Sequence, residues 1–300
     1  MASNQPTRSS LSEPAPLSTE KVSAELAEIV VFVDGRTEAP TILEFAGVLA
    51  QEHGTHLTAV FMQPEPAATS PEMFARGKGM LGVIEAHRAR LEGIEADRRA
   101  LFEGIVRRYG IRSEWRSLPY LSSEVGVPAY YADLVVIARP ESAGQTAGPP
   151  GLAESLVLSS GRPIILFPPR GSVSRVRRIV VAWNARREAI RAAADALPLL
   201  VKAEAVEVLV VDHERHAGHG QEPGADIARH LARHGAQVDV HRLSSDGKDV
   251  GRLLLSQAAA FRADLLVMGA YGQSHLSEWM FGSITRTVLA EADVPVLMSR

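Results

Sequence analysis

The chain has no cysteine. That excludes a disulfide framework, a thiol nucleophile and a cysteine-ligated zinc site. It also lacks an excess of either charge: 32 Lys and Arg stand against 35 Asp and Glu, for a formal net charge of -3. A sequence-blind nucleic-acid binder needs a basic surplus, so no nucleic-acid partner is expected. No apolar run approaches the ~20 residues that span a bilayer, so no membrane partner is expected either. The stretch 1–24 is rich in Ser, Pro and polar residues and has no apolar signal-peptide core, which predicts a disordered tail. Absence of cysteine is compatible with a reducing compartment, and a cytoplasmic location is the expectation. The patterns GxxxxGK[ST], G-x-S-x-G and HExxH are missing too. With no general base and no carboxylate cluster for Mg²⁺ in view, no catalytic or metal-ligating residue is assigned.

What is present is a duplicated plan. At 300 residues, 46% hydrophobic and 22% charged, the chain can build two ordinary cores. Glu28–Asp34 and Ile179–Asn184 are continuous apolar strands that end on a polar Asp or Asn. Helix-period stretches follow, 40–52 and 188–202, and then strands 56–62 and 205–212. The closing strands match as well: Ala132-Asp133-Leu134-Val135-Val136-Ile137 beside Ala263-Asp264-Leu265-Leu266-Val267-Met268, and 162–166 beside 294–298. Buried strands alternating with helices predict βαβ units and a parallel sheet covered on both faces. A Pro, Gly and Ser cluster at 168–174 marks the boundary. It is short enough that the two halves should be packed together.

The sharpest local signal runs from 263 to 300. A strand stops on Gly269, Gly272 comes three residues on, and Gly282-Ser283 opens a helical stretch. Glycines permit close backbone approach. A helix start adds free N–H groups and the positive end of the dipole, and a loop can add a nest of amides. This is a recipe for holding an anion. Each part also has a plain structural use: strand-end glycines form turns, Gly-Ser caps helices, and Trp183 covers a core rim.

The spacing Gly269-x2-Gly272-x9-Gly282-Ser283 resembles the nucleotide-binding signature of the universal stress protein family, and the flanking Ala263-Asp264 and Pro295-Val296-Leu297 are similar too. The resemblance implies an α/β fold of two tandem doubly wound five-stranded parallel sheets, strand order 3-2-1-4-5, with helices on both faces. Its domains are 25–170, a degenerate copy, and 174–300, the copy with the motif. In such sheets ligands sit where strand order reverses, here beside Ala182, Trp183 and Asn184 of the first strand and Met268, Gly269 and Gly272 of the fourth. Asn184 takes the place of an acid that contacts the nucleoside, and it can both donate and accept. Val210 matches the position whose backbone meets adenine. Gly282, the Ser283 hydroxyl and the amides of Ser283, Ile284 and Thr285 would hold the phosphates, with Arg186 and Arg187 adding charge. The implied ligand is ATP, with or without Mg²⁺. The implied partners are an adenine nucleotide and the other half of the chain, paired through the fifth strands (Ile164–Phe167 against Val296–Ser299) as a pseudo-dimer. A homodimer through another surface stays open.

The first half departs from this pattern. It reads Ala138-Arg139-Pro140-Glu141 and has no Gly-Ser pair opening its helix. An acid repels phosphate and prolines remove donors, so no nucleotide is expected there by the same loop. The basic turn Arg76-Gly77-Lys78-Gly79 reads as a solvated loop. His216-Ala217-Gly218-His219 spells the HxGH motif of nucleotidyl transferases but follows the second strand of its repeat, the wrong connection. His213, His216 and His219 sit among glycines and suggest no metal site, while His230 and His234 suggest a solvated helix face. Three functions remain: a stress-response ATP-binding protein acting through nucleotide-linked conformation, a nucleotide-free scaffold of the same fold, and a slow ATPase with Asp212 or Asp264 as candidate base.

Overall fold

The computed structural model describes residues 25–35, 39–63, 79–119, 124–139, 151–171, 175–212, 222–270 and 283–300. The expected tail, the HxGH and basic-turn segments, Pro140–Glu141 and the core of the boundary at 172–174 lie outside these residues. The first half comprises β1 (Glu28–Val33), α1 (Ala39–His53), β2 (His56–Met62), α2 (Gly79–Tyr109), β3 (Ser113–Leu118), α3 (Val127–Tyr130), β4 (Leu134–Ala138), α4 (Leu152–Ser159) and β5 (Ile164–Phe167). The second comprises β6 (Arg178–Trp183), α5 (Arg187–Asp195), α6 (Leu197–Lys202), β7 (Ala205–Val211), α7 (Ala225–Arg233), β8 (Val238–Leu243), α8 (Val250–Phe261), β9 (Leu265–Gly269), α9 (Ser283–Glu291) and β10 (Val296–Ser299). No described helix is long and apolar enough to cross a membrane.

Within each half the strands run parallel in the order 3-2-1-4-5. The halves then merge. β5 and β10 pair antiparallel, Leu166 opposite Val296, Ile165 opposite Leu297 and Ile164 opposite Met298, so that ten strands form one sheet. Burial explains the composition along it. The central strands β4, β5 and β10 are buried at every position, which matches sequences that are apolar throughout save for Ser299 at the end of β10. The outermost strands β3 (SEWRSL) and β8 (VDVHRL) are only half buried, and their charged residues blunt the two free edges. The predicted helix over 188–202 is instead two, α5 and α6. Pro198 lacks the N–H that a continuing helix needs and is tolerated only in the first turn of a new one.

The repeated Ala-Asp dipeptide has a structural task. One oxygen of Asp133 accepts from the backbone N–H of Ala27 and Glu28 at 2.7 and 3.0 Å. Asp264 does the same for Arg177 and Arg178 at 2.9 and 2.8 Å. Each aspartate ties the entry of its fourth strand to the entry of its first. Asp264 therefore stands at the amino end of β9, the wrong end for a catalytic base acting at Gly269, and that candidacy is withdrawn.

The halves also meet away from the strand seam. At the end of α1, Glu52 pairs with Arg177 at 2.7 Å and with Arg175 at 3.6 Å, and Lys202 of α6 donates to the Glu52 carbonyl. Arg139, buried at the end of β4, donates to the Ala292 carbonyl just past α9 at 2.7 Å, a cation at a helix C-terminus. His53 lies in this contact, where burial, reinforced by the Lys202 ammonium, pushes its pKa down from 6.5 to about 4.

Above pH 6.5 the folded and unfolded chains both hold this imidazole neutral. As the pH falls from 6.5 towards 4, only the unfolded chain takes up the proton, and stability is lost across that window. The full shift corresponds to roughly 3 kcal/mol, which partial exposure reduces to about 2 kcal/mol. Denaturant unfolding between about pH 7 and pH 4.5 should show this loss in the wild type and a flatter profile in His53→Gln. Equal slopes in the two would assign the acid sensitivity to other groups.

Candidate functional site

Strand order in the second half reverses between β6 and β9, and a cavity of about 510 Å³ opens there beyond their carboxyl ends. Ala182, Trp183, Met268 and Gly269 come from those two strands, and Leu209 and Val211 from neighbouring β7. The walls are the first turns of three helices: Arg186, Glu188 and Ala189 at α5, Val250 and Leu254 at α8, and Ser283, Ile284 and Thr285 at α9. The first N–H groups of a helix have no partner within it, and each dipole is positive at that end. Three helix starts converging on one hollow make a region suited to an anion.

The helices are held there by specific contacts. A Cβ on Gly251 of α8 would lie 2.7 Å from the Thr287 Cβ of α9, so glycine permits the close approach of these two walls. Asp249 caps α8 by accepting from the Arg252 N–H at 2.9 Å, and Arg252 grips Glu291 of α9 through Nε and Nη2 at 2.9–3.1 Å. At α5 the Asn184 Oδ1 accepts from the Arg186 N–H at 3.1 Å, a turn that leads the chain from β6 into the helix. Its amide oxygen is thus engaged in the turn, which leaves its two amide N–H groups as donors at the cavity's edge. Two non-glycine residues with positive φ flank the opening, Ala185 (φ 55) and Asp212 (φ 50).

Of the eleven residues read from sequence, Ala182, Trp183, Asn184, Met268, Gly269, Ser283, Ile284 and Thr285 line this cavity. Gly272 and Gly282, with the bulky Trp279-Met280-Phe281 before the latter, lie outside the described residues. Val210, read from sequence for its backbone, contributes no side chain to the lining. Its fully buried side chain points to the other face, where a Cβ at Gly224 would meet it at 2.9 Å. The cavity is served by its neighbours Leu209 and Val211, as the period of two in a strand requires. Arg186 reaches the cavity whereas Arg187 does not.

The sequence reading missed Glu188 and named Asp212 only as a candidate base. Glu188, in the first turn of α5, and Asp212, at the end of β7, both line the cavity. Asp212 accepts from the Ser245 N–H and Oγ, each at 2.7 Å, so both its oxygens hold the β8–α8 turn. The contribution of α8 was missed as well, although Asp249 ahead of an apolar helical run was the available signal.

Gly269 has an unexpected reason to be glycine. A Cβ there would stand 2.5 Å from the Glu188 carbonyl carbon and 2.6 Å from the Ala189 nitrogen. The residue lies in extended β9 and is not among those with positive φ. The constraint is the α5 backbone crossing directly over it.

A family model described as the Universal stress protein family matches residues 175–300, which contain every wall of this cavity. The second half of the chain is thus similar to the universal stress protein family. The fold extends over both halves. A universal stress protein from Archaeoglobus fulgidus DSM 4304 superposes with a TM-score of 0.64 at 16% identity, covering 91% of this chain and 98% of that one. A functionally unknown protein from Pseudomonas aeruginosa PAO1 does so with a TM-score of 0.57 at 14% identity, covering 91% and 92%. These likenesses establish a tandem universal stress protein fold. A search of curated proteins returns no match.

Gly269→Ala should destabilise the protein by about 2–4 kcal/mol through the clash with α5, whatever ligand is present. Chemical denaturation of the variant without added nucleotide tests this. A variant of wild-type stability would return the glycine to a purely ligand-facing role.

Proposed function

We propose that the second half, 174–300, is a nucleotide-binding domain and that ATP or a related adenine nucleotide occupies the cavity between β6 and β9. The observation that carries this reading is the convergence of three helix N-termini on one cavity at the reversal of strand order. Ser283, Ile284 and Thr285 supply the α9 amides and a hydroxyl for phosphate oxygens, joined by the Gly272 and Gly282 loop that sequence spacing singles out. Asn184 donates to a ribose or base oxygen, and Arg186 adds positive charge. Adenine lies against Trp183, Leu209 and Val211.

The first half, 25–170, acts in this proposal as a nucleotide-free companion. Ala138 and Arg139 stand where the second half has Gly269 and Ala270, and Arg139 is committed to Ala292 across the halves. The two halves function as a pseudo-dimer joined through β5 and β10, in the cytoplasm. Nucleotide acts by mass action, favouring the conformation that binds it and whatever interaction that conformation permits.

Among the described residues no group of three His, Asp or Glu side chains is placed to ligate a metal, so any Mg²⁺ here would be held chiefly by the nucleotide's own phosphates. Catalysis is not part of the proposal. The two carboxylates in the lining favour a second reading, a scaffold of the same fold that carries no nucleotide, since Glu188 and Asp212 oppose a polyphosphate.

Mass spectrometry of small molecules released on denaturing freshly purified protein separates the two. Adenine nucleotide at about one equivalent per chain is expected, and the variant carrying both Gly282→Leu and Ser283→Leu should release almost none. A folded wild-type protein that releases none, and gives no heat on titration with ATP, supports the scaffold. Removing the opposing charge with Glu188→Gln should tighten ATP binding by about three- to tenfold in the same titration.

A further inference from the structure

A smaller hollow of about 220 Å³ lies beside the large cavity, over the junction of the two halves. The first turn of α5 separates them: Arg186 lines one, and its neighbour Arg187 lines the other. Both halves build the smaller hollow. Arg162 precedes β5, Ser299 ends β10 and Arg300 follows it. The antiparallel register that sets Met298 opposite Ile164 brings Arg300 opposite Arg162 two residues further on. Three guanidiniums therefore border one opening. Arg162 is fixed by donating through Nε and Nη2 to the Tyr130 carbonyl at 3.1 and 2.8 Å. The acid in the lining, Asp195, is engaged by Arg191 at 2.8 Å, and Glu188 lies 3.9 Å from Arg187.

A second observation points to a ligand. Ser299 is 2% exposed, and its Oγ has no hydrogen-bond partner among the described residues. It sits beside Gly269 in the parallel pair of β10 and β9, and paired residues of neighbouring strands project to the same face. A Cβ on Gly269 points at α5, so the Ser299 hydroxyl also faces α5, into the hollow that Arg187 and Asp195 line. A buried hydroxyl without a partner costs stability until an acceptor reaches it.

We propose that this hollow is a phosphate site distinct from the large cavity, taking inorganic phosphate or the phosphoryl group of a small phosphomonoester. The Ser299 Oγ and the guanidiniums of Arg162, Arg187 and Arg300 are its donors. Planar guanidinium forks match a tetrahedral oxyanion. Because Arg162 comes from the first half and the other donors from the second, occupancy stabilises the joined form of the two halves. The inference stands independently of nucleotide in the large cavity.

Isothermal titration and thermal unfolding of the full chain, with inorganic phosphate and with glycerol 3-phosphate, at ionic strength held constant with chloride, test the site. Saturable binding and a raised unfolding midpoint are expected for at least one of the two, and the pair distinguishes a free ion from an esterified group. Arg187→Ala and Ser299→Ala should each weaken that binding by about tenfold. Ser299→Ala should leave the midpoint without phosphate unchanged or higher, because it removes a hydroxyl that lacks a partner. The variant with both Gly282→Leu and Ser283→Leu should keep the phosphate response. The proposal is overturned by a response no larger than that to chloride, by wild-type affinity in both Arg187→Ala and Ser299→Ala, or by loss of the response in the Gly282 and Ser283 variant.

Discussion

The antiparallel pairing of β5 with β10 is the contact on which the rest of the architecture depends. Each strand is buried along its whole length, and each would otherwise be the open edge of a five-stranded sheet with unpaired backbone groups and apolar faces. An edge of that kind invites aggregation. Joining the two edges leaves β3 and β8 as the outer strands, and these carry the charged residues. Contacts at the ends of α1 and α9, Glu52 with Arg177 and Arg139 with the Ala292 carbonyl, then fix how the halves sit against each other. Position of the helices, and hence of the cavity walls they form, follows from that single sheet.

Duplication makes the differences between the halves informative. The aspartates that tie strand entries together are kept in both copies, Asp133 and Asp264, with nearly the same hydrogen bonds. At the exit of the fourth strand the copies diverge. Gly269 admits the α5 backbone across the sheet, whereas its counterpart Ala138 carries a Cβ and is followed by Arg139, which reaches into the other half. The same framework thus holds an open cavity on one side and a docking contact on the other.

The strands were legible because buried parallel strands are written as unbroken apolar runs, Val30–Val33 or Leu265–Met268 among them. The alternating, charged SEWRSL and VDVHRL lack that signature, and they were passed over. Most of the cavity lining was legible through the glycine spacing and the strand-end rule, since both describe local backbone geometry. What was not legible depended on tertiary geometry. The parity of β7, which turns the side chains of Leu209 and Val211 to the cavity, is set by its register. The role of Gly269 is set by a helix 80 residues earlier in the chain, and the presence of Glu188 in the lining by where that helix crosses the sheet. Pro198 and the Asp249 cap of α8 were misses with a signal in plain sight.

Antiparallel joining has a directional consequence. The carboxyl ends of the second half's strands emerge at one rim of the common sheet, and those of the first half emerge at the opposite rim. A molecule seated at the mouth of the second half therefore meets its companion only through the amino end of β5, near Arg162, and never through the companion's own mouth. The two mouths have no shared geometry to preserve, so residues such as Ala138 and Arg139 can take up structural duties without disturbing what the other rim holds.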